Sequence, residues 1–127
     1  MSTLNSRSLQ RRLIAHASRI LELTSKLPQT PQANHIARQL IRSSTATAAN
    51  YGEARAAESR SDFIHKTRIV LKELNETGVW LDFILECSLL RAESVAPVVD
   101  ENEQLCRIFA ASIKTAGGFD RIQKHVP

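Results

Sequence analysis

Glu53, Lys72, Glu73 and Glu76 are the side chains most able to do chemistry. Glu73 and Glu76 stand three residues apart beside Lys72, so on a helix the two carboxylates share a face. Paired carboxylates can act as general acid and base, or hold a divalent metal. Glu53 closes the run SSTATAANYGE at 43–53, a stretch with little bulk for the middle of a helix. Di-iron bundles use Glu-x-x-His on paired helices. Here Glu73 is followed at the third place by Glu76, and no other segment offers a Glu-x-x-His. His16, His35, His65 and His125 are scattered and read as lying mostly on polar faces. Cys87 and Cys106 have no metal-like spacing. No catalytic residue, metal or cofactor is therefore expected, and the chain reads as not an enzyme. A buried charge without a partner is costly, so Glu53, Lys72, Glu73 and Glu76 are expected to form a polar network at a bundle or subunit seam.

These residues must be positioned by helices. The chain has 127 residues, with four glycines and four prolines, which suits one all-α domain over residues 1–127. Leu9, Leu13, Ala17, Ile20, Leu21, Thr24 and Leu27 recur at helical steps and predict a first helix from Ser6 to Leu27. Thr30 as N-cap and Pro31 open a second. Its inner face is Ala33, Ile36, Ala37, Leu40, Ile41, Ser44 and Ala48, and it fades after Tyr51-Gly52-Glu53. The third runs from Ser59 or Ser61 to about Arg91. The fourth runs from near Pro97 to Gly117-Gly118, followed by a loose tail over about 117–127. Short links between the four predict an up-and-down antiparallel four-helix bundle. The cysteines, both in helical stretches, read as buried reduced thiols.

The third helix has a second stripe. Ile69, Glu73, Glu76, Trp80, Phe83, Cys87 and Leu90 lie roughly opposite its core face. An exposed apolar face of that size marks a contact surface. Ile69, Trp80, Phe83, Cys87 and Leu90 are therefore expected at a homo-oligomer interface. Thr45, Ala46 and Ala49, small residues behind the core face of the second helix, would let backbones approach closely there.

Net charge is +4, unevenly spread. Residues 1–50 hold seven basic side chains against one acid, Glu22. Arg12, Arg19 and Lys26 follow one another at sevens, and Arg38 and Arg42 sit one turn apart on the second helix. These five are the expected nucleic-acid contacts, made to phosphate and so with little sequence preference. The polar N-terminus lacks an apolar signal core, and no segment nears the roughly 18 apolar residues of a membrane span. A cytoplasmic protein of bacterial style, with no membrane partner, is expected.

The run QLIRSSTATAANYGEARAAESRSDFIHKTRIVLKELNETGVWLDFI resembles the four-helix bundle protein family, also called the 23S rRNA intervening-sequence protein family. Gln39-Leu40, Arg42-Ser43, Asn50, Glu53-Ala54, Ser59, Phe63, Lys72-Glu73, Glu76-Thr77 and Trp80-Leu81 fill its pattern. Asp62 before Phe63 also fits. The likeness covers about residues 15–115. It implies an up-and-down bundle assembled as a ring-like homopentamer, with no established enzymatic activity. It also implies kinship in fold with the basic accessory protein of diversity-generating retroelements, which associates with a reverse transcriptase and nucleic acid. The expected function is a non-enzymatic homo-oligomeric adaptor. Its partners are itself and RNA, DNA or a reverse transcriptase. The alternative is a purely structural or protein-binding oligomer.

Overall fold

The computed structural model describes residues 5–125, with side chains described through residue 117. Helix α1 spans Ser6–Thr24, α2 Pro31–Arg55, α3 Arg60–Glu86 and α4 Ala92–His125. Each packs on its neighbours in sequence, and α1 also meets α4, which closes the bundle. The α2–α3 contact is the most extensive and the α1–α4 contact the least.

The starts follow their capping residues. Asn5 Oδ1 accepts from the Ser8 N–H at 2.8 Å, and Thr30 Oγ1 from the Ala33 N–H at 3.1 Å, with Pro31 beginning the helix. Ser59 Oγ accepts from the Asp62 N–H at 3.1 Å. The ends depart more from expectation. α3 stops at Glu86 rather than near Arg91. There the Ser88 N–H donates to the Leu85 carbonyl and the Leu89 N–H to the Ile84 carbonyl, with Ser88 at φ 52°. This is a Schellman stop built on serine where glycine is usual, so composition did not mark it. α4 begins at Ala92 and carries Pro97 inside it. The backbone also stays helical through Gly117-Gly118. The expected loose tail lies, from residue 118 onward, outside the side chains described.

Two apolar clusters fill the bundle. One gathers Ile20, Leu23, Ile36, Leu40, Leu81, Ile84 and Val95. The other gathers Leu9, Leu13, Tyr51, Val70, Leu74, Leu105 and Phe109. Between them lies a polar layer of His16, Ser43, Ser44, Thr47, Thr77 and Asn102, each at most 1–3 % exposed. Ser43 and Thr77 hydroxyls meet at 2.9 Å across α2 and α3. Thr47 and Thr77 also donate to carbonyls one turn back on their own helices, which lets hydroxyls be buried at little cost.

Several positions differ from the sequence reading. Leu21 and Ile41, expected inside, are 41 % and 38 % exposed, while Leu23, Ser43 and Thr47 are buried in their place. The stripe of α2 is turned toward α3, its larger contact. His16 is buried instead of lying on a polar face, and Cys87 is exposed at the C-cap of α3. Cys106 is half-buried, with its Sγ donating to Asn75 Oδ1 at 3.5 Å.

Candidate nucleic-acid and assembly surfaces

The predicted polar network splits in two. On the α2–α3 seam, Arg42 of α2 bonds Glu73 at 3.3 Å and also bonds Glu76 of α3. Glu76 further accepts from Trp80 Nε1 at 3.1 Å. Glu53 sits apart, 59 % exposed, and pairs with Lys66 at 2.7 Å. Lys72 is exposed and makes no ion pair with the three carboxylates. Arg42, expected on a nucleic-acid surface, is thus the cation of the seam. Sequence could place these residues on faces but not say which cation would cross the seam.

Hydrogen bonds from Trp80 and then Arg42 hold the Glu76 carboxyl below its ordinary value. A depressed carboxylate contributes stability in full above its unfolded value and loses it as pH falls through that value toward the folded one. Because the Glu76 side chain is 32 % exposed, water can replace part of what is lost. Glu76→Ala is expected to destabilise by about 0.5–1.5 kcal/mol at neutral pH, and by less near pH 3. Urea melts at the two pH values check this. An equal loss at both would mean that packing, not charge, holds the seam.

The basic stripe of α1 runs beside α4. Arg12 makes a forked pair with Glu101, Nε to Oε2 at 2.7 Å and Nη2 to Oε1 at 2.9 Å, and also reaches Gln104 at 3.0 Å. This clasp joins the two helices that otherwise touch least, and it holds the Glu101 carboxyl below the usual range. Lys26 is 4.0 Å from Glu22, with both side chains exposed. Arg19 and Arg38 are exposed and in no ion pair among the described residues. So the five expected phosphate contacts do not act alike: Arg12 and Arg42 pair across helices, Lys26 has a long exposed pair with Glu22, and Arg19 and Arg38 are in no ion pair among the described residues.

The second stripe of α3 is also divided. Trp80 is half-buried in the α2–α3 seam, edge-on to His35 at 5.6 Å and stacked on Phe83 at 5.4 Å. Ile69 and Leu90 are half-buried. Phe83 is 44 % exposed and Val79, missed in the sequence, 51 %. On α1 and α2, Ile14, Leu21 and Ile41 are exposed as well.

Buried at mid-height, the His16 imidazole meets Asn102 Oδ1 through Nε2 at 2.9 Å, and Asn102 Nδ2 donates to the Leu74 carbonyl at 2.9 Å. His16 Nδ1 is buried without a partner. Among the described residues no group of three His, Cys, Asp or Glu side chains could hold a metal ion, and no helix is long and apolar enough to cross a membrane.

The fold and its surfaces define an all-α four-helix bundle with a charged α2–α3 seam, exposed apolar side chains on α3 and a buried polar layer. The chain belongs to the 23S rRNA-intervening sequence protein family, whose model matches residues 9–111. It is similar to a crystal structure from Bacteroides thetaiotaomicron, a protein of unknown function from the S23 ribosomal protein family. Identity is 29 % and the TM-score 0.79, covering 86 % of this chain and 97 % of that one. No curated protein matches.

Proposed function

We propose that the protein is a non-enzymatic homo-oligomeric adaptor that binds nucleic acid, or an enzyme acting on nucleic acid, through arginine-rich surfaces. The observation that carries this reading is the excess of exposed arginines in no ion pair among the described residues. Arg7, Arg11, Arg19 and Arg38 face solvent on the α1–α2 hairpin, with Glu22 the one acid in residues 1–50. Assembly is supported by the exposed Phe83 and Val79 on α3. A homopentamer is the form the family resemblance suggests. A cytoplasmic site of action belongs to the same reading. The second reading, a structural or protein-binding oligomer, is favoured by Arg12 and Arg42, whose charges are spent on Glu101, Glu73 and Glu76.

Light scattering after size exclusion is expected to give several times the chain mass. Phe83→Asp should reduce it toward the monomer, because the new charge would be buried without a partner. A wild-type monomer at micromolar concentration would remove the assembly reading. Binding to RNA or duplex DNA should fall with salt, by about 0.9 in log affinity per log salt for each duplex phosphate neutralised. Absence of binding at low salt would leave the structural reading in its place.

A further inference from the structure

At the end of the bundle where α1 begins, α4 faces the α2–α3 turn and the start of α3, with Leu9 the α1 residue at their edge. Arg12 stands opposite Glu101 and Gln104 of the antiparallel α4, and α1 begins at Ser6, so it runs out near Ala110 while α4 continues. A cleft of about 840 Å³ opens there. Leu9, Phe63, Ile108 and Ala111 give it an apolar lining, and Ser112 and Thr115 add hydroxyls.

Cations stand on two sides of this opening. Arg60 lines it, and Glu58 is the one carboxylate among its lining residues. Arg107 and Lys114 lie one turn before and one turn after Ala111, so they flank the same side of α4. Arg107 and Lys114 make no ion pair among the described residues. Two of these three cations are arginines, whose planar forks match phosphate.

Phosphate charge alone would not call for an apolar cavity. A polynucleotide with an unpaired base uses both features. The base leaves water against Phe63 and the aliphatic walls, its edge meets the hydroxyls of Ser112 and Thr115, and the flanking phosphates meet Arg107 and Lys114. A duplex keeps its bases stacked and cannot fill the cleft. We infer that this end of the bundle binds single-stranded nucleic acid, with one unpaired nucleotide seated in the cleft between the start of α3 and α4. The inference rests on the nucleic-acid reading above and narrows it to one place and one strand state.

The test uses the full chain and a fluorescently labelled single-stranded RNA of about twelve nucleotides, with its duplex as comparison, read by anisotropy at low salt. The single strand should bind about tenfold tighter or more. Ala111→Asp puts a carboxylate at an exposed position on the cleft wall, so the fold should survive, which circular dichroism checks. It should erase the preference for single strand and leave duplex binding nearly unchanged. Replacing Arg107 and Lys114 with Ala should make the salt dependence shallower. Equal binding of both forms, indifferent to Ala111→Asp, overturns the inference and leaves the nucleic-acid reading standing. No binding of either form overturns both. Oligoglutamate binding that Ala111→Asp abolishes, without RNA binding, would assign the cleft to an acidic protein segment and also overturn the inference.

Discussion

Asn102→Ala is expected to destabilise the protein by about 2–4 kcal/mol, because one deletion strands two buried groups. Asn102 Oδ1 meets His16 Nε2, and its Nδ2 donates to the Leu74 carbonyl, at 2.9 Å each. With Asn102 only 3 % exposed, no water is at hand to replace it. The effect should depend on pH. Burial pushes the His16 imidazole below its ordinary value, against the raising effect of its bond to Asn102. Glu101 of α4 also raises it, while Arg19 and Arg12 of α1 lower it. The unfolded chain therefore takes up a proton first as pH falls. His16 contributes fully above its unfolded value of about 6.5, and its contribution declines below that toward the folded value. Without Asn102 the folded value drops further, so the variant should lose more on the acid side than the wild type does. Urea melts between pH 7.5 and about 5 read both effects. A variant as stable as wild type, with an unchanged pH profile, would show that the His16–Asn102 pair is not formed.

Phe109→Ala should cost about 3–5 kcal/mol, the range for removing a buried aromatic ring from a close-packed core. Phe109 is 1 % exposed and meets Tyr51 edge to face, centroids 5.2 Å apart at 82°. The ring ties α4 to the end of α2 inside the cluster that also holds Leu9, Leu13 and Leu105. Phe109→Leu keeps most of the volume and loses only the ring pair, so it should cost roughly 1–2 kcal/mol. Thermal or chemical melts of the two variants give the comparison. Near-equal losses would mean that the ring pair outweighs the cavity.

The helices were legible because apolar side chains recur at helical steps and because Thr30 and Ser59 are residues that cap; the cap at Asn5 was not read. Where α3 stops was not legible, since Ser88 takes a left-handed turn that glycine normally marks. The start of α4 was read too late because Pro97 looks like a first-turn residue and is instead held inside the helix. Burial was misread where a stripe is wide. Leu21 and Leu23 both fit the period of α1, and only packing against the other helices chooses between them. Charge pairing was the least visible. Arg12 and Arg42 look like members of solvated rows, yet Glu101, Glu73 and Glu76 that bind them come from other helices, 31 or more residues away in the chain. The cleft left no periodic mark, because the α2–α3 turn, the start of α3 and the later turns of α4 that line it lie far apart in the chain.

The layer of His16, Ser43, Thr77 and Asn102 between two greasy halves bears on how the helices find their alignment. A uniform apolar stripe would let one helix slide a full turn along its neighbour and still bury similar surface. Here such a slip would move Asn102 away from His16 and the Leu74 carbonyl, and set an amide against Val70 or Leu81. The same shift would part Ser43 from Thr77. Misaligned bundles therefore lie well above the native one in free energy even though their greasy area is nearly unchanged. The run of small polar residues at the centre of α2 acts as a ruler: it adds little holding strength, and its position says where along each helix the others must stop.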